Sequence, residues 1–384
     1  MSNSIESYDR PHLVFLVSED WYFVSHRLPL ARAAIDAGFR VTLATKVSSY
    51  RQEIERAGIN LIDLPFKRSG LNPLRELAFS IRVLNLYRRL RPDLVHHVAM
   101  KPVVIGSLAA RLAGVPAIVN ALGGLGYVFT SQTIKTRLLR PVVERLLRFA
   151  LNGKRSALIL QNRDDQELLV NAGVVRQSSI KIIRGVGVDP STYSTQNRTQ
   201  PQPCLVVLPA RMLRDKGVHE FVQAASDLRN EGINARFALV GSPDPQNPNS
   251  IAEDQLHAWA ADGTIEYWGW RSDIAEVFSQ THIVCLPSYR EGLPKALLEA
   301  AASSRAIITT DTPGCRDVVQ DGYNGLLVPV GDAKALAHAI RTLILDTEMR
   351  DRFGVNGRRR IEMEFTSTMS IDMTLSTYKE LLQP

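Results

Sequence analysis

Two acidic and two basic residues in the second half of the chain have types and spacings suited to one kind of chemistry. Glu291 and Glu299 stand eight positions apart, and Arg211 and Lys216 precede them by about 80 residues. Carboxylates accept hydrogen bonds from the hydroxyl groups of polyols such as sugars and ribose. Fixed cations stabilise the negative charge that a diphosphate gains when its bond is cleaved. These residue types predict a site for a phosphorylated polyol.

The sequence around the two glutamates predicts a strand followed by a helix. The apolar run 282–286 is typical of a buried strand, Pro294 suits the first turn of a helix, and 295–302 continues as a buried helix. Glu291 is then expected in the strand-to-helix loop, and Glu299 more than a turn into the helix. Ligands of open α/β sheets bind at this end of the strands. Taken alone, however, two glutamates at this spacing occur by chance on many helices.

The two cations are placed by a second strand and helix pattern. Residues 204–209 are apolar and precede a loop that contains Arg211 and Lys216, and a helical pattern follows. The loop therefore lies at the carboxyl end of a strand, where we expect Glu291 as well. Gly241 follows another predicted strand and belongs to the same edge. Loops rich in lysine and arginine are common, so the two cations alone are weak evidence for a phosphate site. Their position about 80 residues before the two glutamates makes the evidence strong.

These segments carry a resemblance to a known family. The stretch E-G-L-P-K-A-L-L-E that begins at Glu291 resembles the E-x7-E motif of the retaining glycosyltransferases of family 4, which have the GT-B fold. The segment R-x4-K-G that begins at Arg211 resembles a second motif of this family. The resemblance implies that Glu291 and the backbone after it contact the donor sugar and that Glu299 holds the ribose hydroxyls. It also implies that Arg211 and Lys216 hold the donor pyrophosphate.

Further donor contacts follow from the same resemblance. It implies that the backbone around Trp270 and Arg271 receives the nucleobase, and simple tryptophan packing is an equally good interpretation of this stretch. A glycine after Glu291 lets a ligand approach the backbone closely. The predicted catalytic residues are Glu291, Arg211 and Lys216. The predicted donor-binding residues are Arg211, Lys216, Gly241, Trp270, Arg271, Glu291, Gly292, Leu293, Pro294, Lys295 and Glu299.

The first half of the chain opens with a strand–helix–strand pattern, which favours a doubly wound parallel sheet. The loop expected after the first strand, residues 18–27, contains no glycine. This argues against a dinucleotide fingerprint and departs from the Gly-Gly pair of many family 4 enzymes. Ser25, His26 and Arg27 are predicted to contact a phosphate at the helix N-terminus. Helix capping and surface charge are the alternative interpretation.

A histidine segment follows in the fourth predicted strand. Residues 93–97, D-L-V-H-H, resemble the D-x-x-H segment of family 4 sugar transferases, which places His96 near the acceptor. Many members have a second active-site histidine two positions later, where this chain has Val98. Strand alternation directs His97 to the opposite face, so neither histidine is assigned a catalytic role. Lys101, at the strand end, is a predicted acceptor-phosphate contact.

The remaining predicted acceptor contacts lie in a glycine-rich stretch after the fifth strand. Gly123-Gly124-Leu125-Gly126 does not match a dinucleotide fingerprint, and we interpret it as a mobile loop that lines a cleft. The predicted acceptor-binding residues are Ser25, His26, Arg27, His96, Lys101, Gly123 and Gly124.

The chain has a net charge of +7, and the basic excess lies in its first half. Residues 132–152 form a basic amphipathic helix pattern, and Arg75, Arg82 and Arg89 share one face of a helix predicted at 75–91. Such helices lie on anionic membrane surfaces, which we predict as a partner. The alternative is that the helix packs on the sheet and exposes its basic face to solvent. Few aromatic residues are interleaved, so no nucleic-acid partner is expected.

Other classes are disfavoured by simple patterns. No uninterrupted run of 18 apolar residues predicts a transmembrane helix, and residues 1–10 lack a signal-peptide pattern. Cys204, Cys285 and Cys315 are scattered, as in a protein of the reducing cytosol, and no Cys/His pair has zinc-finger spacing. No D-x-D motif is present, so neither a metal nor a cofactor is expected.

These observations predict an α/β protein with two Rossmann-like, doubly wound domains that face a cleft, the GT-B fold. Residues 1–190 are the expected acceptor- and membrane-binding domain, and 191–365 the nucleotide-sugar donor-binding domain. Residues 366–384 are expected to form a C-terminal helix that crosses back to the first domain. The turn-rich stretch after residue 185 is the best candidate linker.

By resemblance, the expected function is that of a retaining, metal-independent hexosyltransferase of surface glycan assembly. The expected donor is a UDP-sugar of the N-acetylhexosamine type, and the expected acceptor is a polyprenyl-diphosphate-linked saccharide. The enzyme would be cytoplasmic and peripheral on the inner face of the cell membrane. The alternatives are a glycosyltransferase for a soluble acceptor, a GT-B-fold sugar-nucleotide epimerase and a non-catalytic membrane scaffold.

Overall fold

The structure, a computed structural model, describes residues 10–66, 73–125, 134–193 and 203–383. It divides into two units. The first unit comprises residues up to Val186 together with the C-terminal residues from Ser370, and the second comprises Gly187–Met369. Each unit is an α/β body with its own parallel sheet and its own apolar core.

The first unit is built on seven parallel strands in the order β3-β2-β1-β4-β5-β6-β7. Inner strands are buried on both faces, and their residues alternate between two cores: Leu13 and Phe15 lie on one side of β1, Val14 and Leu16 on the other. The strands are β1 His12–Glu19, β2 Arg40–Lys46, β3 Asn60–Asp63, β4 Leu94–Val98, β5 Ala117–Ala121, β6 Ser156–Leu160 and β7 Ile180–Ile182.

Helices cover both faces of this sheet. They are α1 Asp20–His26, α2 Leu28–Asp36, α3 Arg51–Arg56, α4 Pro73–Leu90, α5 Met100–Ala113, α6 Ile134–Leu151 and α7 Arg163–Asn171. The expected basic helices near 75–91 and 132–152 correspond to α4 and α6.

The prediction of a loop over residues 18–27 was wrong. β1 extends to Glu19, and the chain enters α1 directly at Asp20. The buried Asp20 carboxylate accepts hydrogen bonds from the backbone N–H groups of Ser48, Ser49 and Tyr50 at 2.6, 3.0 and 3.1 Å. These bonds tie the start of α1 to the loop after β2. The tertiary contact explains why a stretch without glycine leaves the strand as a helix.

The second unit has six parallel strands in the order β10-β9-β8-β11-β12-β13. They are β8 Cys204–Pro209, β9 Ala235–Val240, β10 Glu266–Gly269, β11 Ile283–Leu286, β12 Ala306–Thr310 and β13 Gly325–Val328. The helices are α8 Val218–Asn230, α9 Glu253–Ala261, α10 Ile274–Gln280, α11 Lys295–Ala302, α12 Cys315–Val318, α13 Ala333–Leu345 and α14 Thr347–Glu364.

The strand order of the second unit reverses at β8, which pairs with β9 on one side and β11 on the other. The chain runs outward from β8 to β10 and then returns to β11. This reversal is a topological switch point, and ligands of open α/β sheets bind beside it at the carboxyl ends of the strands.

The last helix, α15 Ser367–Leu382, packs against the first unit as predicted. Tyr378 is fully buried in the core of that unit, with its ring 5.9 Å from that of Phe39. Lys181 and Glu380 form an ion pair at 2.8 Å. Cys204, Cys285 and Cys315 are buried and free. Across the described ranges, no helix has both the length and the apolar character needed to cross a membrane.

Candidate active site

The carboxyl edge of the second sheet brings together most of the residues predicted from the sequence. Arg211 and Lys216 follow β8, Gly241 follows β9, Trp270 follows β10 and Glu291 follows β11. All these strands are parallel, so their carboxyl ends meet along one edge. The predicted strand-to-helix positions of both glutamates are confirmed, since Glu291 precedes α11 and Glu299 lies within it.

Lys216 is positioned by close contact between the loops after β8 and β11. The loop turns at Gly217 with a φ of 72°, and a Cβ there would lie 2.2 Å from the carbonyl oxygen of Pro287. The backbone N–H of Tyr289 donates to the carbonyl of Asp215 at 2.9 Å. At this junction, Nζ of Lys216 lies 2.5 Å from Oε1 of Glu291, and both side chains are largely shielded from solvent.

Glu291 has a second partner within its own loop. The hydroxyl group of the buried Ser288 donates a hydrogen bond of 2.8 Å to the same Oε1 atom. The backbone N–H of Glu291 donates to the carbonyl of Pro313 at 3.4 Å. The carboxylate is thus oriented by two donors, and it balances the charge of Lys216.

Arg211 is also paired, but at a more exposed position. Its Nη1 atom donates to Oδ2 of Asp244 at 2.7 Å. The nearby Gly241 has a φ of 141°, and a Cβ would lie 1.9 Å from the carbonyl oxygen of Ala210. Only glycine fits this close approach of the loops after β8 and β9. Each predicted phosphate-binding cation therefore has a carboxylate as its counter-ion.

Glu299 lies on α11 with a relative exposure of 7%. Its Oε1 atom accepts a hydrogen bond of 2.9 Å from the hydroxyl group of Tyr193 and lies 3.2 Å from Nζ of Lys295. Burial, together with the Glu299 carboxylate, raises the pKa of Tyr193, so its hydroxyl remains a donor. Sequence reasoning missed Tyr193, because an aromatic residue at the start of a polar linker has no periodic signal.

The two tryptophans at the end of β10 behave differently. Trp268 is partly buried and donates from Nε1 to Glu266 at 2.9 Å, whereas Trp270 is 65% exposed. The packing interpretation thus applies to Trp268, whereas the exposed ring of Trp270 is accessible to a planar ligand. The guanidinium of Arg271 binds Asp273 through two nitrogens, at 2.7 and 2.5 Å, which leaves the backbone of this turn as the predicted nucleobase contact.

The rest of the predicted donor contacts begin α11. Pro294 occupies the N-cap position and Lys295 is the first helical residue. Leu293 is buried against the second core of the unit. The carbonyl of Gly292 lies close to Gly314, where a Cβ would be 2.5 Å from that oxygen. The loops after β11 and β12 are therefore in direct contact at this edge.

In the first unit, the predicted acceptor residues Ser25 and His26 lie in the last turn of α1, and Arg27 separates α1 from α2. The ring of Tyr22 stacks on His26 with centroids 4.2 Å apart. A Cβ on Gly123 would lie 3.5 Å from the hydroxyl oxygen of Tyr22. Helix α1 and the Gly123-Gly124 turn therefore meet at the carboxyl edge of the first sheet, and Gly126 lies outside the described residues.

His96 and His97 point to opposite faces of β4, as strand alternation predicts. Nδ1 of His96 is 2.5 Å from the hydroxyl oxygen of Tyr378. On the other face, Nδ1 of His97 is 2.9 Å from Oδ1 of Asn120, and Nε2 is 3.1 Å from the hydroxyl oxygen of Tyr87. Burial lowers the pKa of His96 well below its ordinary value and that of His97 to about 4, so both are neutral.

Lys101 is close to its predicted place, at the start of α5 after β4. Its Nζ atom donates to Oε1 of Glu76 on α4 at 2.7 Å and lies 5.2 Å from the centre of the Phe66 ring. Glu76 therefore neutralises part of the positive charge that Lys101 would offer to an acceptor phosphate.

Two family models match the two halves of the chain. Residues 12–162 match the model described as glycosyl transferase 4-like, and residues 191–360 match glycosyl transferases group 1. Similar solved structures include Anabaena HepE in complex with UDP and glucose, with a TM-score of 0.76 and 19% identity over 96% of this chain and 99% of that chain. Sucrose-phosphate synthase from Thermosynechococcus elongatus has a TM-score of 0.80 and 18% identity, over 97% and 99%. The fold is thus that of a GT-B glycosyltransferase.

Similarity to curated proteins extends over most of the chain. An N,N'-diacetylbacillosaminyl-diphospho-undecaprenol alpha-1,3-N-acetylgalactosaminyltransferase of Campylobacter jejuni is 30% identical over 336 residues, 84% of this chain and 87% of that protein. A UDP-Gal:alpha-D-GlcNAc-diphosphoundecaprenol alpha-1,3-galactosyltransferase of Escherichia coli is 22% identical over 359 residues, 90% of each protein. The chain belongs to the glycosyl transferases group 1 family, and it is a glycosyltransferase.

Proposed function

We propose that this glycosyltransferase transfers an N-acetylhexosamine-type sugar from a UDP-sugar to a polyprenyl-diphosphate-linked saccharide, with retention of anomeric configuration. The observation that carries the proposal is the cluster at the carboxyl edge of the second sheet. There Lys216 and Glu291 bridge the two loops at the switch point, and Arg211 in the loop after β8 is paired with Asp244. The names of the two curated relatives supply the lipid-linked acceptor class, and the name of the Campylobacter jejuni relative supplies the N-acetylhexosamine type of sugar.

In the proposed reaction, the residues of this cluster bind an anionic leaving group and form no covalent bond with the substrate. Arg211 and Lys216 leave their carboxylate partners and bind the diphosphate, whose negative charge grows as the anomeric C–O bond breaks. Glu291 then accepts hydrogen bonds from the sugar, and Glu299 from the ribose. The acceptor oxygen forms the new bond on the same face, and its proton passes to a departing diphosphate oxygen. We propose that no metal or cofactor takes part.

The proposed membrane contact rests on exposed apolar residues of the first unit. Val142, Leu146 and Phe149 of α6 are 56%, 40% and 58% exposed, at spacings of four and three residues that place them on one face. Arg145 and Arg148 are exposed beside them. On α4, exposed apolar residues also recur at helical spacing; they are Leu74, Leu77 and Ile81. We propose that these helices bind the anionic inner face of the cell membrane from the cytoplasm.

The test is a transfer assay with the purified full chain. UDP-N-acetylgalactosamine, UDP-N-acetylglucosamine and UDP-galactose are each supplied with a polyprenyl-diphosphate-linked saccharide in anionic vesicles. The expected product is an acceptor extended by one sugar with the α configuration of the donor, seen by mass spectrometry and NMR.

Parallel reactions separate the alternatives. Conversion of a UDP-sugar without acceptor would indicate an epimerase. Equal transfer to short, water-soluble acceptors without vesicle binding would indicate a soluble-acceptor enzyme. A chain that binds vesicles but no sugar nucleotide would refute the proposal in favour of a scaffold.

A further inference from the structure

Tyr193 stands at the start of the second unit, and its side chain is directed at the glutamate predicted to hold the ribose. Its hydroxyl group donates a hydrogen bond of 2.9 Å to Oε1 of Glu299, and the two residues are 9% and 7% exposed. Hydrogen bonds to charged acceptors are stronger than neutral ones, and a buried carboxylate cannot exchange its partner freely for water. The contact therefore constrains the carboxylate.

The main chain around Tyr193 is also fixed by hydrogen bonds. Nη1 of Arg358 donates to the carbonyl oxygens of Pro190 at 2.9 Å, Tyr193 at 3.1 Å and Ala302 at 2.5 Å. Ala302 ends α11, the helix that carries Glu299. One guanidinium thus ties the turn before Tyr193 to the helix of the glutamate, so the tyrosine ring has a fixed direction.

Both partners of Glu299 use the same oxygen atom. Lys295 and Tyr193 contact Oε1, and no residue in the described ranges donates a hydrogen bond to Oε2. The second oxygen, with its two lone pairs, is then available to the two neighbouring hydroxyl groups of a ribose. A carboxylate held in advance loses less conformational freedom when the ligand binds.

We propose that Tyr193 is a positioning residue for nucleotide recognition, which orients the Glu299 carboxylate to accept both ribose hydroxyl groups. The inference rests on the proposed function, because it requires a ribonucleotide donor. It adds a residue that lies 106 positions before its partner and outside both sequence motifs.

The test compares two probes by isothermal titration calorimetry on the full chain: UDP and 2',3'-dideoxy-UDP. Tyr193→Phe keeps the ring and removes the donor. It is expected to weaken UDP binding about tenfold, the scale of one hydrogen bond to a charged group, and to leave dideoxy-UDP binding unchanged. In a Glu299→Gln background, Tyr193→Phe should have no further effect on UDP. The matched control is Tyr323→Phe in the same unit, whose hydroxyl has no hydrogen-bond partner in the described part of the chain.

Three outcomes would overturn the inference. Unchanged UDP binding in Tyr193→Phe would show that the hydroxyl group does not act through the ribose site. An equal loss for UDP and dideoxy-UDP would show a general packing role. A wild-type chain that binds neither probe would overturn the proposed function together with this inference, whereas the first two results leave the function in place.

Discussion

Nζ of Lys216 lies 2.5 Å from Oε1 of Glu291, across the two loops that leave the second sheet at its switch point. The two residues are 75 positions apart in the chain. Both belong to the predicted donor site, the lysine as a phosphate contact and the glutamate as a sugar contact. The two side chains are partners of each other, and the proposed donor binding replaces this ion pair by separate contacts of each residue with the donor.

Lys216→Ala should abolish transfer while the fold survives. The lysine is the more buried of the two cations at this edge, so its charge is the less screened by water, and its loss removes that charge from the proposed diphosphate site. We expect turnover to fall at least about 100-fold, measured as UDP release, with an unchanged melting temperature. Lys334→Ala, at an exposed position on α13, is the matched control. Wild-type turnover in Lys216→Ala would refute the phosphate role.

Glu291→Gln should separate nucleotide binding from sugar transfer. The amide no longer neutralises Lys216, so UDP should bind a few-fold more tightly because the ion pair need not be broken first. Transfer should nevertheless fall about 100-fold, because the contact that strengthens during the reaction is lost. Calorimetry with UDP and turnover with the UDP-sugar measure the two effects. A parallel fall in both would mean that Glu291 only maintains the structure of the loop.

Gly241→Ala should destabilise the second unit. The added Cβ would lie 1.9 Å from the carbonyl of Ala210, so the two loops must move apart. We expect a loss of several kcal/mol in the free energy of unfolding, the scale of severe core strain. Gly232→Ala is the control: its φ is also positive, at 79°, but its Cβ meets open space, so backbone strain alone should cost about 1 kcal/mol. Equal melting temperatures for the two variants would contradict the close approach.

Stability should fall in mild acid through His97. Its pKa is about 4 in the folded protein against an ordinary value of 6.5, so the unfolded chain binds the extra proton between these values. The stability is complete above pH 6.5 and is lost as the pH falls towards 4, by about 2 kcal/mol at pH 5. His97→Gln should flatten the dependence of the melting temperature on pH. The exposed His338→Gln should not change it, and identical slopes for both variants would exclude this role.

The exposed apolar face of α6 should control vesicle binding. Leu146→Glu with Phe149→Glu replaces two exposed apolar side chains by like-charged carboxylates that an anionic surface repels. Binding to anionic vesicles should fall at least about tenfold, as expected when two apolar side chains no longer enter the interface. Leu345→Glu, 69% exposed on the second unit, is the control in the same co-sedimentation assay. Equal binding by both variants would place the membrane contact elsewhere.

Much of the second unit was predictable because its signals are local. The change from an apolar run to a helical pattern placed Glu291 in a loop and Glu299 on α11. The segment after β1 was predicted wrongly for the opposite reason. Asp20 is bound by backbone groups 28 to 30 residues later, and that contact has no local signature. Alternation along β4 sufficed to send His96 and His97 to opposite faces, but it did not reveal Tyr378 as the partner of His96.

The family, the fold class and the sheet edges at which charged residues collect can be inferred from the amino-acid pattern, because they depend on periodicity and on motifs within one strand, loop and helix. The partner of each charged residue is visible only in the folded chain: Glu291 for Lys216, Asp244 for Arg211 and Tyr193 for Glu299. A hydrogen bond requires its two atoms within about 3 Å, and the packing of distant segments sets that distance.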